Sequence, residues 1–98
     1  HAKDTYLDQA NIDVNGVLDT KHYSDILNRA WTFRSVGYGQ SEKMWKDTMS
    51  ALRAVGYDYV VSIEHEDMLA SVDEGLGKAI SLLKEVMFKE QVGEIWWA

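Results

Sequence analysis

Two stretches of the chain show the apolar spacing of amphipathic helices. In the first stretch, the apolar positions at helical spacing are Met44, Trp45, Met49, Leu52 and Val55. Positions three and four apart lie on one face of a helix, so these side chains form one buried stripe. Ser41 precedes the stripe as an N-cap, and Gly56 follows it where a left-handed residue commonly ends a helix. The pattern predicts a helix over residues 42–55.

A second helix is predicted over residues 72–87. Ser71 and Glu74 have the spacing of a capping box, in which the serine hydroxyl accepts the amide N–H three residues later. The predicted buried stripe consists of Val72, Leu76, Ala79, Ile80, Leu83 and Val86 or Met87.

A β-branched and aromatic run, Tyr59-Val60-Val61-Ser62-Ile63, lies between the two helices. It is apolar at nearly every position, which predicts a central parallel strand with both faces buried and both helices on one side of it. Residues 6–40 show no sustained period and contain scattered Asn, Asp and Gly. They predict a long loop, with at most a helical turn near residues 21–28.

The order of strand end, long loop, helix, strand, acidic loop and helix is typical of the last two strand–helix units of a parallel α/β fold. Two parallel strands leave unpaired edges. We therefore expect residues 1–98 to form one incomplete domain that packs against the remainder of its own fold. Copies of the chain are expected to self-associate as homo-oligomers. The pair Trp96-Trp97 is predicted to dock against the missing body.

The composition limits which classes of partner and which cellular compartment are expected. Ten Lys and Arg against 16 Asp and Glu give a net charge of −6, which repels phosphate backbones and anionic headgroups, so neither nucleic acid nor a membrane is expected as a partner. No run approaches the roughly 20 apolar residues of a membrane span, and no signal-peptide pattern is present, so a cytoplasmic protein is expected. Because the chain has no cysteine, any metal must bind His, Asp or Glu.

Two short segments carry candidate metal ligands. Glu64 directly follows the predicted strand, where a carboxylate is costly unless it is paired or bound to a metal. A solvated acidic turn before a helix N-terminus is the alternative interpretation. His1 is a weak signal when taken alone. The residues by themselves leave both interpretations open.

In combination, the segments resemble the xylose isomerase-like barrel family of sugar phosphate isomerases and epimerases. The motifs that carry the resemblance are His1-Ala2-Lys3-Asp4, Val36-Gly37-Tyr38-Gly39, a helix near Trp45, Gly56-Tyr57-Asp58 and Ser62-Ile63-Glu64. Their order and spacing cover nearly the whole chain. The resemblance implies an α/β fold that is the C-terminal part of a TIM (β/α)8 barrel.

The same resemblance implies a metal-dependent isomerase or epimerase that acts on a sugar or sugar phosphate by proton transfer through an enediolate. In that family Glu, Asp, His and Glu hold one divalent cation, and His1 and Glu64 match the last two. The ion would be Mn²⁺, Mg²⁺ or Co²⁺, and Glu64 would also be catalytic. Arg34, Lys3 and Asp4 are expected to contact substrate, with a plain salt bridge as the alternative for Arg34. The other two ligands would precede His1, so the isolated chain is expected to be inactive.

Other functions stay open. Dehydration of an inosose on the same fold begins with the same proton abstraction beside a carbonyl. A non-catalytic interaction module would explain the short chain and its terminal tryptophans. Trp31 and Phe33 are candidates for a wall of the sugar site, with ordinary packing as the alternative.

Overall fold

The computed structural model describes residues 1–95, and the predicted docking role of Trp96-Trp97 lies outside them. In chain order, the elements are strand β1 (Asp4–Leu7), helix α1 (Gln9–Asn15), a short 3-10 helix (Ile26–Asn28), strand β2 (Trp31–Arg34), helix α2 (Glu42–Ala54) and helix α3 (Val72–Val86). Strands β1 and β2 pair antiparallel, with Asp4 opposite Arg34 and Leu7 opposite Trp31. Helices α2 and α3 follow this antiparallel pair in the chain.

The predicted helices α2 and α3 are confirmed, and each begins at its predicted cap. The Ser41 hydroxyl accepts the amide N–H of Met44 at 3.1 Å, and the Ser71 hydroxyl accepts that of Glu74 at 3.2 Å. These bonds satisfy amide groups that have no partner within the first turn of a helix. Both helix starts are therefore determined locally.

Helix α2 also ends as predicted. Gly56 has a φ of +81°, and its amide donates to the Arg53 carbonyl at 3.1 Å. The next amide, that of Tyr57, donates to the Leu52 carbonyl at 3.0 Å. This pair of bonds is the Schellman motif, in which a left-handed residue lets the chain satisfy the last carbonyls of the helix.

The core lies between α2 and α3 and the short segments that cross them. Its buried members are Ala2, Val36, Trp45, Met49, Ala79, Leu83 and Val86. The predicted stripes are buried along their centres, but residues at their edges are not. Val55, Val72 and Ile80 are 81%, 59% and 42% exposed. A pair of helices buries only the strip along their contact, so flanking positions stay open without a further layer.

The prediction of two strand–helix units of a barrel is wrong for the described residues, which contain a two-stranded antiparallel sheet and no barrel. The predicted central strand over residues 59–63 is also wrong. Among the contacts within residues 1–95, Ile63 alone of this run pairs, through a single parallel bridge to Ala2. Tyr59 and Val60 are 78% and 62% exposed. A β-branched run becomes a strand only where neighbouring strands satisfy its backbone and layers cover its faces, and here a single residue supplies that pairing.

Residues 6–40 are not the long loop that we predicted, because they contain half of β1, all of α1 and all of β2. Hydrogen bonds of polar side chains stabilise this region, which has no periodic apolar pattern. The Asp19 carboxylate accepts the amides of Lys21 and Ala30 at 2.9 and 2.8 Å. The hydrogen bonds that these two backbone amides donate hold the pKa of Asp19 below its ordinary value. The Asn11 side-chain amide donates to the carbonyls of Leu27 and Arg29.

The molecule is elongated for its length. Its radius of gyration is 16.5 Å and its extents are 54 × 31 × 18 Å, against about 13 Å for the radius of a compact domain of about 100 residues. Across residues 1–95, no helix has the length and apolar character needed to cross a membrane.

Candidate functional site

The candidate site lies where the first residues of the chain pair with residues 62–64. The Ala2 amide donates to the Ser62 carbonyl at 2.6 Å, and the Glu64 amide donates to the Ala2 carbonyl at 3.2 Å. Ala2 is buried and Ile63 is partly buried, both against the core. Because side chains alternate along extended backbone, the neighbours of these two residues point to the opposite, open face. The structure thereby brings His1, Lys3, Ser62 and Glu64 to one face.

Side-chain contacts agree with this alternation. His1 Nδ1 lies 2.6 Å from Ser62 Oγ, and Lys3 Nζ lies 3.4 Å from Glu64 Oε1. Each contact joins residues 61 positions apart in sequence. The His1 contact uses Nδ1 and leaves Nε2 as the ring nitrogen that can bind a further group. Glu64 is exposed on the same face.

Lys3 lies at the centre of this face. Its ammonium is 3.4 Å from Glu64 Oε1, 3.3 Å from Glu66 Oε1 and 3.6 Å from the centroid of the Phe33 ring. Its side chain is only 18% exposed, whereas the two glutamates are about half exposed. Exposed ion pairs each contribute little to stability, but two carboxylates and an aromatic ring together restrict where the ammonium can lie. Lys3 is therefore held beside the candidate ligand Glu64.

An aromatic wall borders Lys3, and we define it as Tyr23, Trp31 and Phe33. Trp31 and Phe33 meet edge to face with ring centroids 5.1 Å apart, and Tyr23 lies 6.3 Å from Phe33. The Tyr23 hydroxyl donates to the Glu66 carbonyl at 3.1 Å, which ties the wall to the acidic loop. Burial, together with the nearby carboxylates of Glu66 and Asp67, raises the pKa of Tyr23.

Sequence reasoning found Trp31 and Phe33 and missed Tyr23. The Arg29 guanidinium lies 4.7 Å from the centroid of Trp31 and 5.4 Å from that of Tyr23, so one cation contacts both rings. No sequence period marks Tyr23, because the seven residues that separate it from β2 form nothing longer than the 3-10 helix Ile26–Asn28.

Asp4 is placed differently from the other candidates. It is 1% exposed, and its carboxylate accepts five hydrogen bonds. The donors are the amides of Thr5, Gly37, Gly39 and Gln40 and the indole N–H of Trp45. The amides of Gly37 and Gly39 are therefore directed at this carboxylate, whereas the Tyr38 amide donates to the Ser35 carbonyl. A Cβ on Gly39 would lie 2.5 Å from the Thr5 carbonyl, so this turn needs glycine to approach β1. The geometry gives Asp4 a structural role.

Arg34 takes part in the salt bridge that was its alternative interpretation. Its Nε donates to both oxygens of Asp67 at 3.1 and 3.2 Å. Within residues 1–95 the Nη groups of Arg34 make no hydrogen bond, and the guanidinium lies 5.4 Å from the Tyr38 ring. Contact between Arg34 and substrate stays a prediction.

Asp67 holds the acidic loop against the end of β2, and sequence reasoning missed it. Its side chain is fully buried and also accepts the Ser35 amide at 2.7 Å, the Ser35 hydroxyl at 2.9 Å and the Leu69 amide at 2.8 Å. Burial by itself would raise the pKa of Asp67, but these hydrogen bonds and that of Arg34 outweigh it, so the pKa lies below its ordinary value. Asp67 thus fixes the loop that carries Glu64 and Glu66.

His65 lies on the side opposite Glu64. Its ring packs so closely on α3 that a Cβ at Gly75 would lie 2.3 Å from His65 Cε1. This contact anchors the middle of the acidic loop to the helix and leaves the glutamates on either side of His65 at the open face. His65 therefore has a packing role in the described structure.

His1 and Glu64 supply one imidazole and one carboxylate on a shared face. The part of the chain covered by the structure contains no group of three or more His, Cys, Asp or Glu side chains placed to hold a metal ion. The two residues can therefore form only part of a metal site.

Comparison with known proteins gives a relative that is longer than this chain. No family model matches the chain. The chain is 37% identical over 87 residues to the uncharacterized protein YfiH of Bacillus subtilis (strain 168), a match that covers 89% of this chain and 28% of that protein. The chain thus spans little more than a quarter of the relative's length. In YfiH, the matching residues belong to a much longer polypeptide.

Proposed function

We propose that this chain supplies part of the active site of a divalent-metal-dependent isomerase or epimerase that acts on a sugar or sugar phosphate. The observation that carries the proposal is the shared face of His1 and Glu64, which the parallel pairing of Ala2 with Ile63 creates. Lys3 and the aromatic wall border the same face. Two candidate metal ligands, an ammonium group and aromatic rings therefore occur together at one face.

The donor set fits the proposed ion. A neutral imidazole and a carboxylate are ligands that suit Mn²⁺, Mg²⁺ and Co²⁺, the ions that the resemblance implies. In this proposal the remaining ligands come from residues outside the chain, as the length of YfiH allows. When bound, the ion would polarise a substrate carbonyl and make the adjacent C–H more acidic.

The residues of this chain have separate tasks in the proposed reaction. Glu64 acts as a general base at the carbon beside the carbonyl: the carboxylate takes the proton, and the C–H electron pair forms the double bond of the enediolate. The isomer forms when a proton returns to the former carbonyl carbon and the neighbouring hydroxyl proton passes to the former carbonyl oxygen. The epimer forms when an acid on the other side of the substrate returns a proton to the opposite face of the original carbon. Lys3, which donates to Glu64 Oε1, holds the carboxylate at the open face. The aromatic wall offers an apolar surface for the C–H face of a sugar and limits access of water.

The test uses the full-length protein that carries these residues. After treatment with a chelator, it should bind Mn²⁺, Mg²⁺ or Co²⁺ in calorimetric titration. With a panel of ketoses and their phosphates in D₂O, NMR should show deuterium entering the carbon beside the carbonyl together with formation of isomer or epimer. Loss of water from an inosose would identify the dehydratase alternative. Absence of metal binding together with absence of exchange would refute the proposal.

Two variants test the assigned residues. Glu64→Gln should reduce turnover by at least about a thousandfold, because it removes both a ligand charge and the proton acceptor, while the circular dichroism spectrum stays unchanged. Glu66→Gln is the matched control, since Glu66 also contacts Lys3 but is not a proposed ligand, and it should keep most of the activity. His1→Ala should act through metal affinity, so excess Mn²⁺ should partly restore turnover. Normal activity in Glu64→Gln would show that the role is misassigned.

A further inference from the structure

The contact between His1 and Ser62 has a specific geometry. His1 Nδ1 lies 2.6 Å from Ser62 Oγ, and backbone hydrogen bonds on both sides of Ala2 hold the two residues opposite each other. Ala2 is 5% exposed, so the segment that carries His1 is anchored in the core. The serine hydroxyl is thus presented to the δ nitrogen by the backbone pairing itself.

We infer that Ser62 is a positioning residue that makes His1 a metal ligand through Nε2. The inference rests on the proposed function. A neutral imidazole has one N–H and one lone pair, and a metal needs the lone pair. If Ser62 donated to Nδ1, the proton would be on Nε2 and that nitrogen could not bind an ion. When the hydroxyl accepts from Nδ1–H, the Nε2 lone pair is free, and the ring plane is held toward the open face.

The chemistry of serine matters for the charge at the site. A carboxylate partner on Nδ1 would add negative charge beside the ligand, whereas a hydroxyl is neutral. Outer partners of metal-bound histidines typically change metal affinity by about 10–100-fold when they are removed. Ser62 also lies two residues before Glu64 on the same face, so the short segment 62–64 would position both proposed ligands.

The experiment compares three variants of the full-length protein with the wild type. Ser62→Ala should weaken Co²⁺ or Mn²⁺ binding by about 10–100-fold in calorimetric titration. Ser62→Thr keeps the hydroxyl and should restore the affinity. Ser81→Ala removes an exposed hydroxyl from α3 and should leave the affinity unchanged. Equal thermal midpoints for all four proteins would exclude a general loss of stability.

A second readout examines the ring directly in the metal-free protein. Long-range ¹H–¹⁵N spectra, with the His1 signals assigned by their loss in His1→Asn, should show the proton on Nδ1 in the wild type. In Ser62→Ala the proton should move toward Nε2.

Two results would overturn the inference: a wild-type His1 protonated at Nε2, or Ser62→Ala binding metal as tightly as the wild type. If the wild type bound no divalent ion, the proposed function itself would fail, and the inference with it. These outcomes separate an error about Ser62 from an error about the site.

Discussion

The carboxylate of Asp4 accepts the indole N–H of Trp45 at 3.1 Å, which joins the start of β1 to the first turn of α2 across 41 positions of sequence. Four backbone amides complete the shell around this buried carboxylate. Asp4→Asn places an amide group among N–H donors and should lower the free energy of unfolding by about 3 kcal/mol, the upper range for a hydrogen bond to a charged group.

Urea denaturation followed by tryptophan fluorescence measures this effect. Asp8→Asn is the matched control, because Asp8 caps α1 by accepting the Asn11 amide at 3.0 Å and asparagine caps helices about as well as aspartate. We expect a change below about 0.5 kcal/mol for this control. An Asp4→Asn protein as stable as the control would contradict a structural role for the carboxylate.

Gly75 and Gly77 lie in the same helix but meet different surroundings. A Cβ at Gly77 has nothing within 4 Å, whereas one at Gly75 would lie 2.3 Å from His65 Cε1 and 2.8 Å from Ser35 Oγ. Gly77→Ala should therefore raise the free energy of unfolding by up to about 1 kcal/mol, from helix propensity alone. Gly75→Ala should lower it by about 1–3 kcal/mol, because the acidic loop must move away. Thermal unfolding of the two single variants measures the difference, and equal midpoints would show that His65 does not pack on α3.

Asp67 should make stability depend on acid pH. Its pKa is lower in the folded protein than the ordinary value of 3.8, so the folded state favours the ionised form. The contribution is complete above the unfolded pKa and is lost as pH falls through the lowered folded pKa. Urea midpoints measured from pH 7 down to pH 2 should therefore decline below about pH 4. Asp67→Asn should be less stable at neutral pH and decline less steeply in acid. Asp47→Asn, in an exposed pair with Lys43, should leave the decline unchanged.

The exposed apolar residues after α2 predict self-association of the 98-residue chain. Tyr59 and Val60 are 78% and 62% exposed, next to backbone whose pairing within residues 1–95 is the bridge between Ala2 and Ile63. Open edges with apolar side chains favour pairing between copies. Light scattering at increasing concentration should show dimers or larger species, and Val60→Lys should shift them toward monomer. Val14→Lys, which changes an 83% exposed valine of α1, should not. A wild-type chain that stays monomeric throughout would refute the prediction.

The sequence by itself determined the parts of the structure that depend on neighbours along the chain. Ser41 and Ser71 start their helices, and Gly56 ends α2, because each acts on backbone groups within a few residues. The centres of the two apolar stripes were likewise readable, since helical spacing alone places Trp45 and Met49 on one face. The candidate ligands His1 and Glu64 were also named from the sequence, Glu64 from its place after an apolar run and both from the family resemblance.

Tertiary structure decided what depends on partners far along the chain. The run 59–63 has the composition of a strand, but only Ile63 is paired, because a strand forms where partners satisfy its backbone. The family resemblance predicts that Asp4 contacts substrate, but in the folded chain the turn at residues 37–40 encloses its carboxylate. Nothing in the sequence indicated that Ser62 is the partner of His1, since the two side chains meet only when segments 61 positions apart lie side by side. A hydrogen bond of this kind has no periodicity along the chain, so it becomes visible only when the chain is folded.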